Sequence, residues 1–521
     1  MSYYAQDSFK VSKKFVVNFG LRWEPLFSDP DIFGRGTSFN EAAFLANQHS
    51  TVYPSAPAGL FFKGDKGIPD AMWNGHKANF APRVGLVWNP HGDGRDTLRV
   101  GAAILYDSPE TWFNERETTN APYGNLVDTG AGGTLSNPWA NYPGGNPFPQ
   151  HGNIFFPNFG QYVNMPINPS PTYVSQWNIT YQRQIGQSWV ASVSYLGNET
   201  THLWIAEERD PEVYIPGNCS AGQYGLTAAG PCSTPNSNQR RLFYLTNPSQ
   251  GIYYASMNTM DDGAVSHYEG LLASVQHRLA QHFVMNVNFT DSYCLSDYDF
   301  GAALATSTSS QVFNRHADWG PCVFDTRYNF NAYVLAQSWW NGSNPWAKRL
   351  LSNWQLSPLI HASSGQPLLL NYGGTGAGTD FSRTGLGNDR PNQLLPNAYP
   401  SSQNCGNSSI CVQFLNPAAF STSIPVGSYG DVGRNAVRGP GSFNFDLALV
   451  RQFKITERFS LQARAEAFNV INHTNFVGAI SPAGLIAAFS TMTVNAASST
   501  FGQPQAAFDP RILQFALKLF F

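Results

Sequence analysis

The stretch 509-DPRILQFALKLFF-521 decides how the rest of the chain is read. From Leu513 onward, apolar side chains take every second position: Leu513, Phe515, Leu517, Leu519 and Phe521. Gln514, Ala516, Lys518 and Phe520 lie between them. A period of two is a β-strand with one apolar face. From Leu513 to Phe521 this strand has the ~9–11 residues that a tilted strand needs to cross a hydrocarbon core. A strand closing a soluble sandwich usually leaves the sheet and frays in water. The apolar face here is therefore read as facing lipid.

The same alternation recurs upstream. In KFVVNFGLRWE (14–24), Phe15, Val17, Phe19, Leu21 and Trp23 share one face, and Asn18, Gly20, Arg22 and Glu24 share the other. In SQWNITYQRQI (175–185), Trp177, Ile179 and Tyr181 oppose Gln176, Asn178, Thr180 and Gln182. FVMNVNFTDS (283–292) and RFSLQARAEAFN (458–469) repeat the pattern, the latter with Arg464 and Glu466 on its polar face. Aromatics sit towards the ends of the apolar faces, as with Phe15 and Trp23, Trp177 and Tyr181, or Trp189 and Tyr195. Soluble β-sandwiches alternate too, but a polar inner face and aromatic girdles are the signature of a transmembrane β-barrel.

Composition agrees. Only 12% of the 521 residues are charged, against about 25% in a typical soluble protein. Aromatics reach 14%, and 47 Gly and 35 Pro suit many turns and long loops. The net charge of −3 argues against nucleic acid as a partner. No apolar run is long enough for a transmembrane helix, and the opening MSYYAQDSFK lacks the features of a signal peptide.

Connections sharpen the assignment. Short ones (around 11–13, 187, 280 and 456) alternate with long ones (about 25–78, 108–171, 198–264, 294–321 and 373–439). Tight periplasmic turns alternating with long extracellular loops are a barrel property. The pattern predicts strands at 2–10, 14–24, 79–90, 96–107, 172–186, 188–197, 265–279, 281–293, 322–338, 351–372, 440–454, 458–473 and 508–521. The expected fold is thus all-β: an antiparallel meander of about thirteen strands. Bacterial single-chain barrels have an even number of strands, so further strands are expected before the first.

Several stretches, in order along the chain, resemble the barrel of Oar-like TonB-dependent outer-membrane transporters. They include YYAQDSFKVSKKFVVNFGLRWEP (3–25), FAPRVGLVWNPHGDGRDTLRVGAAILYD (80–107) and GDVGRNAVRGPGSFNFDLALVRQFKITERFSLQARAEAFNVINHTNF (430–476). The resemblance implies a barrel of about 22 strands around a plug, contact with the TonB complex through that plug, and delivery to the outer membrane by the barrel-assembly machinery. Phe521, a terminal aromatic, resembles the assembly signal read by that machinery. Plug, leader and first strands are not in this sequence, so 1–521 is expected to be the C-terminal part of such a barrel. The implied function is uptake of a bulky solute, whether siderophore, saccharide or peptide. An anchor carrying large surface loops for adhesion is the alternative.

Chemical motifs are weak. GGTGAGTD (373–380) has the glycines of a phosphate loop but neither the Lys–Ser/Thr pair nor a following helix. Asp297 and Asp299 lack the spacing of a calcium loop. His202, His267, His277, His361 and His473 are scattered, and no nucleophile motif occurs. Neither a catalytic centre, a metal site nor a cofactor is expected. Arg22, Glu24, Asn178, Gln182, Arg464 and Glu466 are expected to face the lumen, where they pair internally or touch a solute or plug. The six cysteines all fall in or beside long loops. This suits an oxidising compartment, with expected pairs Cys219–Cys232, Cys294–Cys322 and Cys405–Cys411.

Overall fold

The computed structural model describes residues 2–521 apart from 108–116, 118, 125, 129–133, 135, 141, 143–144, 147–153, 235, 281, 299–308, 339–343, 374–378, 388, 403, 406–407 and 477–493. Thirteen strands follow one another as a meander: β1 (Tyr3–Ser12), β2 (Phe15–Trp23), β3 (Phe80–Trp88), β4 (Asp96–Tyr106), β5 (Tyr173–Ile185), β6 (Trp189–Glu208) and β7 (Tyr254–Ala280). Then come β8 (Phe283–Ser296), β9 (Tyr328–Gln337), β10 (Trp354–Ser363), β11 (Ser442–Lys454), β12 (Ser460–Phe468) and β13 (Ile512–Phe520). Each pairs antiparallel with its sequence neighbour, and β1 does not pair with β13, so the sheet is open.

The faces sort as the alternation requires. Trp23, Leu21 and Phe19 on β2, and Phe515, Leu517 and Leu519 on β13, are exposed on the outer surface. Tyr3, Trp23 and Phe80 are register partners on three strands, and their rings stack at 5.8 and 6.4 Å at the loop-bearing rim. Trp88, Trp189, Phe453 and Phe459 form the girdle at the opposite rim. Tight turns close that rim. Gly186 takes φ +63 between β5 and β6, a conformation that suits glycine. Between β11 and β12 the Thr456 hydroxyl accepts from the Phe459 amide at 3.0 Å. Long connections leave from the other rim, which is extracellular by the rule that outer-membrane barrels follow.

Several boundaries differ from expectation: β9 starts at Tyr328 and not at 322, β12 ends at Phe468 and not at 473, and three others differ more. β6 runs 11 residues past the expected Leu–Gly end at 197, and β7 starts 11 residues before 265. Their ladder continues, through register shifts, up to Asn258–Glu208. The sheet is not wholly antiparallel either, because residues Gly160–Asn164 add a parallel strand to the start of β7. Third, the expected strand 351–372 ends at Ser363, and Pro367–Leu368 instead pairs with Val437–Arg438. These segments have lost the strict alternation because they stand above the lipid, where both faces can be packed by loops.

The loops build a cap with cores of its own. One cluster joins Phe44, Phe62, Phe243, Tyr254 and Met257, and another joins Leu370, Tyr372, Leu415, Phe420 and Phe501. Phe44 and Phe243 rings sit 4.6 Å apart, and Tyr254 meets Phe44 edge-on at 5.7 Å. These residues come from connections far apart in sequence, and from the overhanging start of β7, and are as buried as the interior of any soluble domain.

Candidate functional site

Side chains opposite the lipid face line the inner surface of the sheet. On β2–β5 the register aligns Asn18, Gly85, Gly101 and Asn178 in one row. Around that row opens a pocket of about 690 Å³, to which Gln6, Arg83, Gln176, Asn198 and Tyr268 also contribute. Gly101 leaves room there for the Asn178 amide: a Cβ on it would lie 2.7 Å from that side-chain oxygen, which would have to turn aside. Small residues across the row therefore let amide groups from neighbouring strands lie flat against the sheet. Amides, hydroxyls and an arginine can bind polar solutes or a polar protein surface by hydrogen bonds, and the arrangement holds no paired acid and base for catalysis among the residues named.

The expected lumenal residues divide into two groups. Asn178 lines the pocket. Gln182 lies four residues further along β5 and accepts from Arg99 Nη1 at 2.9 Å. Arg22 donates to Ser2 and pairs with Glu24 at 2.8 Å near the extracellular rim. Arg464 and Glu466 pair with each other on β12, where Arg464 faces Ala516 and Glu466 faces Gln514 of β13. β12 lies seven strands along the sheet from β5, so these residues do not share a site with Asn178. Phe521 follows the last residue of β13 and is 93% exposed.

Sequence reading missed the polar framework of the cap. Arg240, 1% exposed, pairs with Glu212 at 2.5 Å and donates to the carbonyls of Val213 and Arg383, so it ties two loops together. Arg390 reaches Asp318 at 3.3 Å and the Ala317 carbonyl at 2.8 Å. Arg434 donates to the carbonyls of Ser296 and Asp318 at 2.7 Å each. Arg438 pairs with Asp325, and Arg315 with both Asp261 and Asp297. Asp297 is thus held in an ion pair, and Asp299 and residues 374–378 of the glycine loop lie outside the described residues. Burial lowers the pKa of Arg240 and Arg390 and raises that of Glu212 against the pull of their partners. Asp210, fully buried, is pushed well above the usual carboxylate range. The only forewarning in sequence was the density of Arg and Asp in segments without period.

Disulfides reinforce the cap. Cys219–Cys232 joins Cα atoms 5.0 Å apart, and Cys294–Cys322 joins the top of β8 to the following loop at 5.4 Å. Both distances suit a disulfide. Cys405 and Cys411 lie on two small paired strands, and their side chains fall outside the described residues.

The chain was compared with proteins of known structure and family. Among solved structures, the ferric enterobactin receptor PfeA of Pseudomonas aeruginosa is 13% identical, with a TM-score of 0.42 over 99% of this chain and 44% of that one. The siderophore receptor PirA of Acinetobacter baumannii is 11% identical, with a TM-score of 0.41 over 100% and 45%. The copper transporter OprC is 9% identical, with a TM-score of 0.38 over 100% and 48%. The chain therefore spans less than half the length of these structures. No curated protein matches it significantly in sequence. Residues 1–514, however, match the family described as outer membrane beta barrel domain. With its outward apolar face, two aromatic girdles and polar inner face, the chain belongs to that outer-membrane β-barrel family and resides in the outer membrane of a Gram-negative bacterium.

Proposed function

We propose that this chain is the C-terminal part of the barrel of an Oar-like, TonB-dependent transporter that takes up a bulky solute. The observation that carries the reading is the pairing of two features: a polar inner face with a 690 Å³ pocket, and long extracellular loops welded into a rigid cap. A passive anchor has no need of a lumen lined by Gln6, Asn18, Gln176 and Asn178. The ordered sequence stretches quoted above support the Oar-like assignment. On this reading the lumenal amides hold a plug or pass a solute, and TonB acts through the plug. Uptake of solute by cells carrying the complete protein should be abolished when TonB is deleted. Undiminished uptake of labelled iron chelates, oligosaccharides and peptides without TonB would overturn the proposal.

A second reading rests on the cap itself. Its separate cores and disulfides make it large and stable enough to serve as an adhesive surface. Excising loop residues 364–441 should then abolish cell attachment while leaving uptake unchanged; the transport reading expects uptake to fall.

A further inference from the structure

We propose that the outer surface of β10–β13 binds one phospholipid of the periplasmic leaflet, its phosphate on Arg451 and one acyl chain in a furrow floored by Ala463 and Ala465. The register places three rows across these strands. Trp354, Arg451, Ala463 and Leu517 form one; Leu356, Leu449, Ala465 and Phe515 form the next; Phe453, Leu461 and Leu519 form the third. The two alanines sit lower than the large side chains on either side. Leu449 and Phe453 stand along one wall, Phe515 and Leu517 along the other, and the space between is an apolar groove of about 520 Å³.

One charge interrupts this face. Among the outward positions of β10–β13, Arg451 is the single ionisable side chain. A cation exposed to lipid is expensive unless it reaches the interface or meets an anion. Arg451 lies three residues before the end of β11, roughly 10 Å along the strand from the periplasmic rim. Its guanidinium carbon sits 4.9 Å from the Trp354 ring and 4.6 Å from the Phe453 ring, and it donates to the Arg349 carbonyl. No carboxylate pairs with it among the described residues. The two rings and the carbonyl hold the guanidinium in place without a carboxylate beside it, which is how a phosphate site is pre-organised.

The surroundings specify the leaflet. The connection between β9 and β10 carries a short helix, Pro345–Leu351, at the periplasmic rim. Trp346 is 70% exposed and Leu350 61%, while Lys348 and Arg349 occupy its last turn. Apolar side chains beside two cations suit an interface with phospholipid headgroups. Phosphate charge and acyl chain are thus matched within one site, the charge at the rim and the groove leading towards the bilayer centre.

The test uses the full chain in mixed micelles with phosphatidylglycerol as probe, with retained lipid counted by native mass spectrometry. Wild type should hold one lipid that Arg451→Gln loses, with at least a tenfold rise in the half-saturating lipid concentration. Ala465→Phe, which fills the furrow and leaves the guanidinium in place, should lose the same lipid. This second variant decides the matter if Arg451→Gln does not fold, as judged by circular dichroism. Arg458→Gln, on the neighbouring turn, should retain the lipid. Unchanged retention in Ala465→Phe, an equal loss in Arg458→Gln, or preference for lipopolysaccharide over phosphatidylglycerol would each overturn the proposal.

Discussion

Two phenylalanines show how differently the two halves of this molecule are built. Phe515, on β13 of the membrane wall, is 77% exposed; Phe44, in the extracellular cap, is not exposed at all. In the wall, apolar side chains point at lipid, and the fold is held by backbone hydrogen bonds that run from each strand to the next between the open edges of β1 and β13. In the cap, apolar side chains point at one another, and buried arginines bind loops across large gaps in sequence. The same chain therefore obeys opposite burial rules on either side of the extracellular rim, because the solvent changes from lipid to water.

The sharpest way to break this comparison is to truncate both rings. Phe44→Ala should cost about 3–5 kcal/mol, the range for emptying a packed aromatic site. Phe515→Ala should cost less, roughly 1.5–3 kcal/mol, because the ring still passes from water into lipid on insertion but leaves no packed cavity behind. Denaturant unfolding of the reconstituted protein, read by tryptophan fluorescence, measures both. Comparable losses would mean that the wall has a packed outer face after all.

Next in size is the disulfide at the junction of the two halves. Cys294 and Cys322 are 28 residues apart, so replacing both with serine should cost roughly 3–4 kcal/mol by the loop-closure argument. The loss should appear as faster proteolysis of the cap, with the strand content of the wall unchanged. A wall that unfolds together with the cap would show that the two are one cooperative unit.

A charge scan tests the wall alone. Ala465→Arg, on the lipid-facing row of Phe515, should cost about 2–4 kcal/mol near the bilayer midplane. Gln514→Arg, one position along β13 and opposite Glu466, should cost far less because it enters the lumen beside a carboxylate. Equal costs would contradict the alternation on which the barrel rests.

The smallest expected effect is a pH dependence of the cap. Burial raises the folded pKa of Asp210 well above its ordinary value, while the unfolded value stays at about 3.9. The folded state then holds the proton more tightly, so this group's favourable contribution is complete below about pH 4 and is lost as pH rises towards the folded value. Each unit between the two values corresponds to about 1.4 kcal/mol. Protection of the cap from proteolysis should thus fall as the pH rises above about 4. Asp210→Asn keeps an oxygen to accept from the Phe243 amide and should flatten that slope. An unchanged slope in the variant would assign the dependence to another group.

What the sequence determined by itself was everything that depends on neighbouring residues along one strand. A period of two needs only local alternation, so Phe515 and Leu517 could be set on one face and Gln514 and Lys518 on the other without knowing any partner strand. Thirteen wall strands, their order and the side on which the long connections lie follow from the same signal together with loop length. The face of the strand on which Asn178 falls was legible in the same way, but its grouping with other polar residues was not. Only register brings Asn178 beside Gly101 and keeps Arg464 seven strands away. The overhang of β6 and β7, the parallel strand at Gly160–Asn164 and the cap were decided by tertiary structure alone. Arg240 meets Arg383 across 143 residues, and Arg434 meets Ser296 across 138. Contacts of that separation leave no periodic trace, because their geometry is set by how the loops pack and not by the order of residues within any one of them.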